Sequence, residues 1–495
     1  MASAGAFFRL MGAGWTLVRH DALLPRELDA FYSPGVRALG NGLRIFASRR
    51  DGRPGERLAR SLEGLGPVAI KLGQLLSTRG DIFGRTFAED LSRLKDKLPP
   101  FPTAQARAQV AQEIGRPVDE LFATFGEPVA AASLAQAHEA TLNDGARVAV
   151  KVLRPGIERR VAADSAVLAL AAGLIERLAP PLRRLEPVQF ARTVIRATEL
   201  ELDLRMEAAG ADELAEVMGR DGYMSAPKVM WEGVGKRVLT MGWAEGMPLS
   251  DPAALEQPGL DRKALADNLT RAFLAQALDH GVFHADLHEG NLFAAAPAKI
   301  SAVDFGIIGR LGPTERRYLA EILWGFLQRD YPRVAKVHFD AGYVPARHSV
   351  AAFAQALRAV GEPVFGRSAS TIAMSRVLTQ LFEITALFEM HLRPELVLLQ
   401  KTMMTVEGVA RRIDPDHDIW GASEPVVRRW IARELSPATR MKQLAGEAET
   451  ALRNLARPTE PRTAAAVEAD PPPGSRLLWF ALGALAAGAA FVVGA

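Results

Sequence analysis

Asp286 and Asn291 stand five positions apart in Gly281-Val-Phe-His-Ala-Asp-Leu-His-Glu-Gly-Asn291, and Val303-Asp-Phe-Gly306 follows shortly after. One carboxylate, one amide and a second carboxylate in this order suit magnesium-dependent phosphoryl transfer. Asp286 would accept a hydroxyl proton, while Asn291 and Asp304 would hold magnesium. Asp-Phe-Gly alone is a common tripeptide and equally reads as a turn after a strand. The order of motifs gives it weight, because Val148-Ala-Val-Lys151 comes earlier, a short apolar strand ending in a Lys suited to pairing with nucleotide phosphates.

These residues need elements to position them. Asn143-Asp-Gly145 predicts a turn between two strands, the second being the Lys151 strand. Ahead of it, Val129, Ala130, Ala131, Ala132, Ser133, Leu134, Ala135, Gln136 and Ala137 occupy the place where a glycine-rich loop would cover ATP. Methyl groups restrict the backbone and crowd its approach to phosphate, so the nucleotide pose should differ from that on a glycine loop. Val238 to Gly246 predicts a strand running into a hinge, and Arg262 to His280 a helix before the catalytic loop. After Gly306, helical sequence resumes at Gly312-Pro313 with no Ala-Pro-Glu-like segment, which removes a platform for an extended peptide substrate.

Two further polar sets lie in apolar surroundings. Lys71 and Gln74, three apart in Gly66-Pro-Val-Ala-Ile-Lys-Leu-Gly-Gln74, share a helical face, and a Lys there needs a carboxylate partner or a route to solvent. Glu199-Leu-Glu-Leu-Asp-Leu-Arg-Met-Glu207 supplies acids. With continuous helical spacing Asp203 and Glu207 share a face and Glu201 is turned away from Glu207. One carboxylate should pair with Lys151 and another is available for Lys71; spacing leaves the assignment open.

The 495 residues, 48% hydrophobic, suffice for two or three domains. Sixty basic against 57 acidic residues give a net charge of +3, and no long basic run interleaved with aromatics marks a nucleic-acid binder. Between Arg37 and Arg60 seven arginines face only Asp51 and Glu56, either a solvated helical surface or a face for anionic lipid. Cysteine is absent, which excludes disulfides, thiolate metal sites and Cys nucleophiles. Leu477 to Ala495 is an uninterrupted apolar and glycine run, long enough at about 1.5 Å per residue to cross roughly 30 Å of hydrocarbon. It predicts a single transmembrane anchor behind a Pro-, Ala- and Glu-rich linker. Arg457, Arg462 and Arg476 on its N-terminal flank would keep the catalytic region cytoplasmic.

Taken together, Lys71-Leu-Gly-Gln74, Ala130-Ala-Ala-Ser133, Glu201-Leu-Asp203, Asp286 with Asn291, and Asp304-Phe-Gly306 resemble the UbiB family of atypical kinases, the aarF-domain or ADCK-like family associated with ubiquinone biosynthesis. The resemblance covers roughly Trp15 to Ala456. It implies an α+β, two-lobed protein-kinase-like fold: a helical N-terminal extension (1–125), a small lobe with a helical insertion (126–246), a helical large lobe (247–456), a linker (457–475) and a transmembrane helix (476–495). It implies ATP and Mg²⁺ as cofactors and Lys151, Asp286, Asn291 and Asp304 as catalytic residues. Glu207 would pair with Lys151, Glu201 and Asp203 would position Lys71, and Lys71 with Gln74 would be regulatory, obstructing a protein substrate. Implied partners are a membrane lipid or quinone-pathway intermediate and other ubiquinone-biosynthesis proteins, at the cell inner membrane. Departures from the family pattern are Glu289 where Pro is frequent, Gly242 where a hinge acid is frequent, and room for one membrane segment where many bacterial members have two.

Overall fold

Alternating valines decide which face of the central strand is buried. The computed structural model describes residues 4–23, 34–48, 51–77, 85–92, 94, 98–178, 186–365, 384, 387–390 and 394–434. By contacts the chain divides into two units, one comprising the described residues through Met206 together with Met230–Gly242, the other Glu207–Val229 with the described residues from Trp243 onward.

The first unit is built on an antiparallel sheet whose strands follow chain order: β1 (Phe122–Ala131), β2 (Ala135–Leu142), β3 (Arg147–Leu153) and β4 (Val238–Gly242). Helices α1 (Ala4–Arg19), α2 (Pro34–Leu43), α3 (Pro54–Leu65), α4 (Pro67–Ser77), α5 (Arg85–Ser92) and α6 (Thr103–Ile114) precede it. Pro102 ends the Pro-rich breaker as the N-cap of α6, and Gly115, in the left-handed region at φ 71°, ends that helix. Ala106 and Val110 of α6 pack on Phe122, Ala140, Val148, Val150, Val152 and Val238. Strand side chains alternate between faces, so burying the valines turns Lys151 to the other face. Each buried valine contributes on the order of 1.5–3 kcal/mol. The turn expected before β3 joins the two antiparallel strands. Residues 143–146 connect the strands, with the Asp144 carboxylate accepting from Ala146 N at 2.9 Å and Gly145 at φ 88°.

Helices α7 (Ile157–Leu178) and α8 (Pro187–Leu200) follow the sheet, and α4 packs against both. The next helix, α9, begins only at Leu204 and runs to Asp221. Glu201 and Leu202 form a turn and Asp203 precedes the first helical residue, its carboxylate accepting from Arg205 N at 3.2 Å. This corrects the continuous helix expected through Glu199–Glu207: an Asp that satisfies a free N–H of the following helix is better placed at its start than in its interior. Part of the basic run is engaged within the protein, while Arg49 and Arg50 lie outside the described residues. Arg44 and Arg57 are buried and both ion-pair with Asp21, at 3.5 and 3.6 Å. Arg53 pairs with Asp90 and Arg60 donates to the carbonyls of Asp51 and Glu56, so these charges stitch the helices together.

In the second unit, α10 (Arg262–Ala275) is capped by Asp261, which accepts from Ala264 N, and is buried through Leu265, Leu269, Phe273 and Leu274. A π turn, Gln276–His280, leads to β6 (Val282–His284). Strands β5 (Met247–Pro248), β7 (Leu292–Ala295) and β8 (Lys299–Ala302) form one small sheet, and β6 pairs with β9 (Ile308–Arg310) in another. Helices α11 (Pro313–Leu327), α12 (Tyr331–Asp340), α13 (Val350–Phe365), α14 (Pro394–Ile413) and α15 (Ile419–Glu434) complete it. Both α14 and α15 pack on α10, while Tyr331, Val334, Phe353, Leu357 and Phe388 make a separate core. The expected linker and transmembrane anchor lie outside the described residues. Among the described residues no helix is long and apolar enough to cross a membrane.

Gly309 of β9 lies opposite Phe283 of β6, where a Cβ would come within 2.1 Å of the phenyl ring. Gly309→Ala should therefore lower stability by about 1–3 kcal/mol through overpacking, read as a lower urea midpoint. An unchanged midpoint would show that the ribbon yields without cost.

Candidate active site

The phosphoryl-transfer motif of the second unit is assembled around His284. Its imidazole is fully buried. Nδ1 accepts from Asp286 N at 3.1 Å, so the proton resides on Nε2, which donates to the Val303 carbonyl at 3.2 Å. Burial holds the imidazole pKa below its ordinary value, keeping the ring neutral as this pattern requires, although the bond to Val303 opposes the shift. Phe305 meets the ring at 5.2 Å between centroids. One side chain thus ties the Asp286 loop to the Asp304-Phe-Gly306 segment.

Backbone bonds complete the link. Beyond the paired β6 and β9, Ala285 N donates to Ile307 O at 3.0 Å and Val303 N to Asn291 O at 2.9 Å. The Asn291 side chain is buried and donates from Nδ2 to the Asp286 carbonyl at 3.1 Å, which leaves its amide oxygen as the group offered to a cation. Asp286 itself is partly exposed, with a carboxylate oxygen 3.7 Å from His288 Nε2. Asp304 is exposed and sits at φ 62°, a left-handed conformation rarely adopted by residues other than glycine. Such a backbone persists where neighbouring bonds impose it, and here the Val303 and Ile307 bonds flank it.

An amide oxygen and a carboxylate are hard donors, suited to a magnesium ion that keeps several waters and takes further oxygens from phosphates. No cluster of three or more His, Cys, Asp or Glu able to hold a metal occurs among the described residues, so a cation at Asn291 and Asp304 would depend on such additional oxygens.

In the first unit, Lys151 lies on β3, in register with Ala137 and Leu239, on the face opposite the valine core. The alanine segment forms the end of β1 and its turn into β2. Ala132 N donates to Ala135 O at 2.8 Å, and Arg154 holds the turn by donating to the Ala132 carbonyl at 2.9 Å and from its backbone N to Leu134 O at 2.8 Å. Val129 is exposed, Ala130 and Ala131 pair with Ala137 and Gln136, and Ser133 is buried. The Gln136 amide is occupied elsewhere, bonding both backbone groups of Phe101 and, at 2.8 Å, His138 Nε2. These bonds fasten β2 to Phe101.

Lys71, with its side chain 12% exposed, ion-pairs with Glu201, so α4 is fastened to the end of α8. Gln74 is half-buried on the same helix. Asp203 makes a fork with the Arg205 guanidinium, at 2.8 and 2.6 Å, and Arg205 holds its carboxyl below the ordinary range. It therefore supports Arg205 and the start of α9. Glu207 is buried in the first turn of α9, within the second unit. Sequence reasoning missed His284 as the residue joining the two motifs, and Arg154 as the anchor of the alanine turn. The only signal for His284 was its place two residues before Asp286, which says nothing of burial.

A family model for the ABC1 atypical kinase-like domain matches residues 93–338, and one for the UbiB helical domain matches residues 357–418. A Marinobacter nauticus protein named "Probable protein kinase UbiB" is 41% identical over 395 residues, covering 79% of this chain and 72% of its own length. The chain belongs to the UbiB family of atypical kinases. An Azotobacter vinelandii protein of the same name is 38% identical over 441 residues, covering 86% of this chain and 82% of its own. Among solved structures, the complex of Rv3197 with erythromycin from Mycobacterium tuberculosis aligns with a TM-score of 0.53 at 23% identity, over 74% of this chain and 93% of the other. At that identity the likeness concerns the fold, which is kinase-like with helical and sheet content.

Replacing His284 by Leu removes both polar ends of the tie and leaves buried partners at Val303 and Asp286, each costing about 1–3 kcal/mol. The His contribution is complete above the unfolded imidazole pKa of about 6.5 and is lost as pH falls through the lower folded value. The gap in urea midpoint between wild type and His284→Leu should accordingly be widest near neutral pH and narrow on acidification. A gap that widened on acidification would contradict a neutral His284.

Proposed function

We propose that this UbiB-family chain is a magnesium-dependent ATPase or kinase acting on a non-protein acceptor, supporting ubiquinone biosynthesis at the inner membrane. The carrying observation is the His284 tie, which joins Asp286 and Asn291 to the segment of Asp304 through backbone bonds. Lys151 would pair with nucleotide phosphates and Glu207 with Lys151. Asn291 and Asp304 would hold magnesium, which when bound would neutralise phosphate charge. Asp286 would orient a water or acceptor hydroxyl and take its proton. The ordered turn at Ala130–Ser133 would present its backbone to the nucleotide.

The choice of a non-protein acceptor rests on the chain after Gly306. Strand β9 starts at Ile308 and α11 at Pro313, so little chain remains for an extended activation segment on which a peptide would dock. On this reading Lys71, held by Glu201, restricts access rather than binding a protein substrate. Anchoring through residues 476–495 belongs to the same reading and rests on their apolar sequence. A nucleotide-binding scaffold for other biosynthetic enzymes is the alternative, favoured by the extent of helical surface outside the motif.

The deciding comparison uses γ-labelled ATP with magnesium, with and without membrane extract, for wild type and Asp286→Asn. The variant should lose roughly 10²–10⁴-fold in label release or transfer while still binding nucleotide. Equal turnover would remove Asp286 from the chemistry, and nucleotide binding without turnover in either protein would select the scaffold.

A further inference from the structure

Helix α14 holds the catalytic loop at two places. Near its middle, the buried Thr402 hydroxyl lies 3.1 Å from the carbonyl of Ala285, the residue before Asp286, and 2.9 Å from Leu398 O. Near its end, Arg412 ion-pairs with Glu289. Between these ties helix and loop leave an open groove of about 510 Å³. Thr405, Gly408 and Val409 form one wall; His288, Glu289 and Gly290 form the other, and Ser250 from the turn after β5 borders it. This volume falls within the range of small-molecule clefts.

We propose that this groove is the acceptor subsite, taking a neutral small molecule that carries a hydroxyl on an apolar body. The inference rests on the phosphoryl-transfer reading above and adds the substrate class. His288 connects the groove to the chemistry. Its Nδ1 accepts from Gly290 N at 3.1 Å, so in the neutral ring the proton is on Nε2, which faces Asp286 at 3.7 Å. Asp286 does not itself line the groove; an acceptor hydroxyl bonded at Nε2 of His288 would come close to the carboxylate that would take its proton.

The lining also selects on charge. Arg412 offsets Glu289, leaving no net charge on that wall, while the nearby Asp286 carboxylate opposes an anion. Ser250 and Thr405 offer hydroxyls; the Thr405 proton is donated to Lys401 O at 3.1 Å, so its oxygen is left as an acceptor for the ligand. Val409 and the glycines supply apolar and unobstructed surface. In the step itself the acceptor oxygen bonds to the γ-phosphorus of ATP. The bond from that phosphorus to the β,γ-bridging oxygen breaks, ADP leaves with the electron pair, and the hydroxyl proton passes to Asp286.

Gly408 provides the test because it lines the groove and a Cβ there meets nothing within 4 Å, so a larger side chain starts from open space on the groove wall. Gly219, exposed on α9 and equally unobstructed, provides the matched control. Saturation-transfer NMR on the full-length protein would measure binding of benzyl alcohol, with benzoate as its anionic counterpart, while ADP formation from MgATP is followed separately. Gly408→Trp should weaken benzyl alcohol binding at least about tenfold, Gly219→Trp should match wild type, and benzoate should bind more weakly than the alcohol. Unaltered binding in Gly408→Trp, absence of binding to wild type, or benzoate binding equal to the alcohol would each overturn the groove assignment. Groove binding by a wild type that hydrolyses ATP but forms no benzyl phosphate would overturn the acceptor role alone, whereas a wild type that binds in the groove without any ATP turnover would overturn the phosphoryl-transfer reading, so the two failures are distinct.

Discussion

A neutral imidazole buried between two backbone segments is the constraint on which the catalytic geometry depends. His284 can accept from Asp286 N and donate to Val303 O only while it carries one proton. Protonation would leave Asp286 N facing a donor on a fully buried ring. Burial therefore does more than stabilise the core: it selects the one protonation state in which the loop of Asp286 and the segment of Asp304 are joined. The paired strands β6 and β9 supply the frame, and close packing of Gly309 on Phe283 fixes how near that frame can draw the two segments.

The helices behind this frame act on the same loop. Thr402 bonds the carbonyl preceding Asp286, Arg412 pairs with Glu289, and Arg262 of α10 donates to the carbonyls of Ile413 and Arg412. Loop, α14 and α10 consequently form one connected set. Displacing α14 would disturb Ala285 and Glu289 together, so helix packing has a route to the position of Asp286, the proposed proton acceptor, through Thr402 and Arg412.

What was legible in the sequence was local in nature. Spacing revealed the Asp286 and Asn291 loop, the apolar run before Lys151 read as the strand β3, and the short interval to Pro313 showed the abbreviated segment after Gly306. Pairings between distant positions were less legible. The Asp203 carboxylate looked helical by periodicity, yet the chain turns at Glu201 and Asp203 satisfies Arg205. Arg44 and Arg57 looked like surface charge because their shared partner, Asp21, precedes the run and meets them only after the helices pack. A sequence pattern gives burial by period, whereas an ion pair depends on where separate elements meet.

The alanine turn illustrates how composition and order interact. A glycine-rich loop can approach phosphate closely but must lose considerable backbone entropy on becoming ordered. In this chain Ala130–Ser133 is already held by its strand pairing, by the Ala132–Ala135 bond and by Arg154. Gln136 fastens β2 to Phe101. On the proposed reading the methyl groups would sacrifice closeness of approach, while these bonds would remove much of the ordering cost before a nucleotide arrived. Such a turn would favour a fixed nucleotide pose over a mobile cover, and it matches the Asp286 loop, which is likewise held by bonds formed in advance.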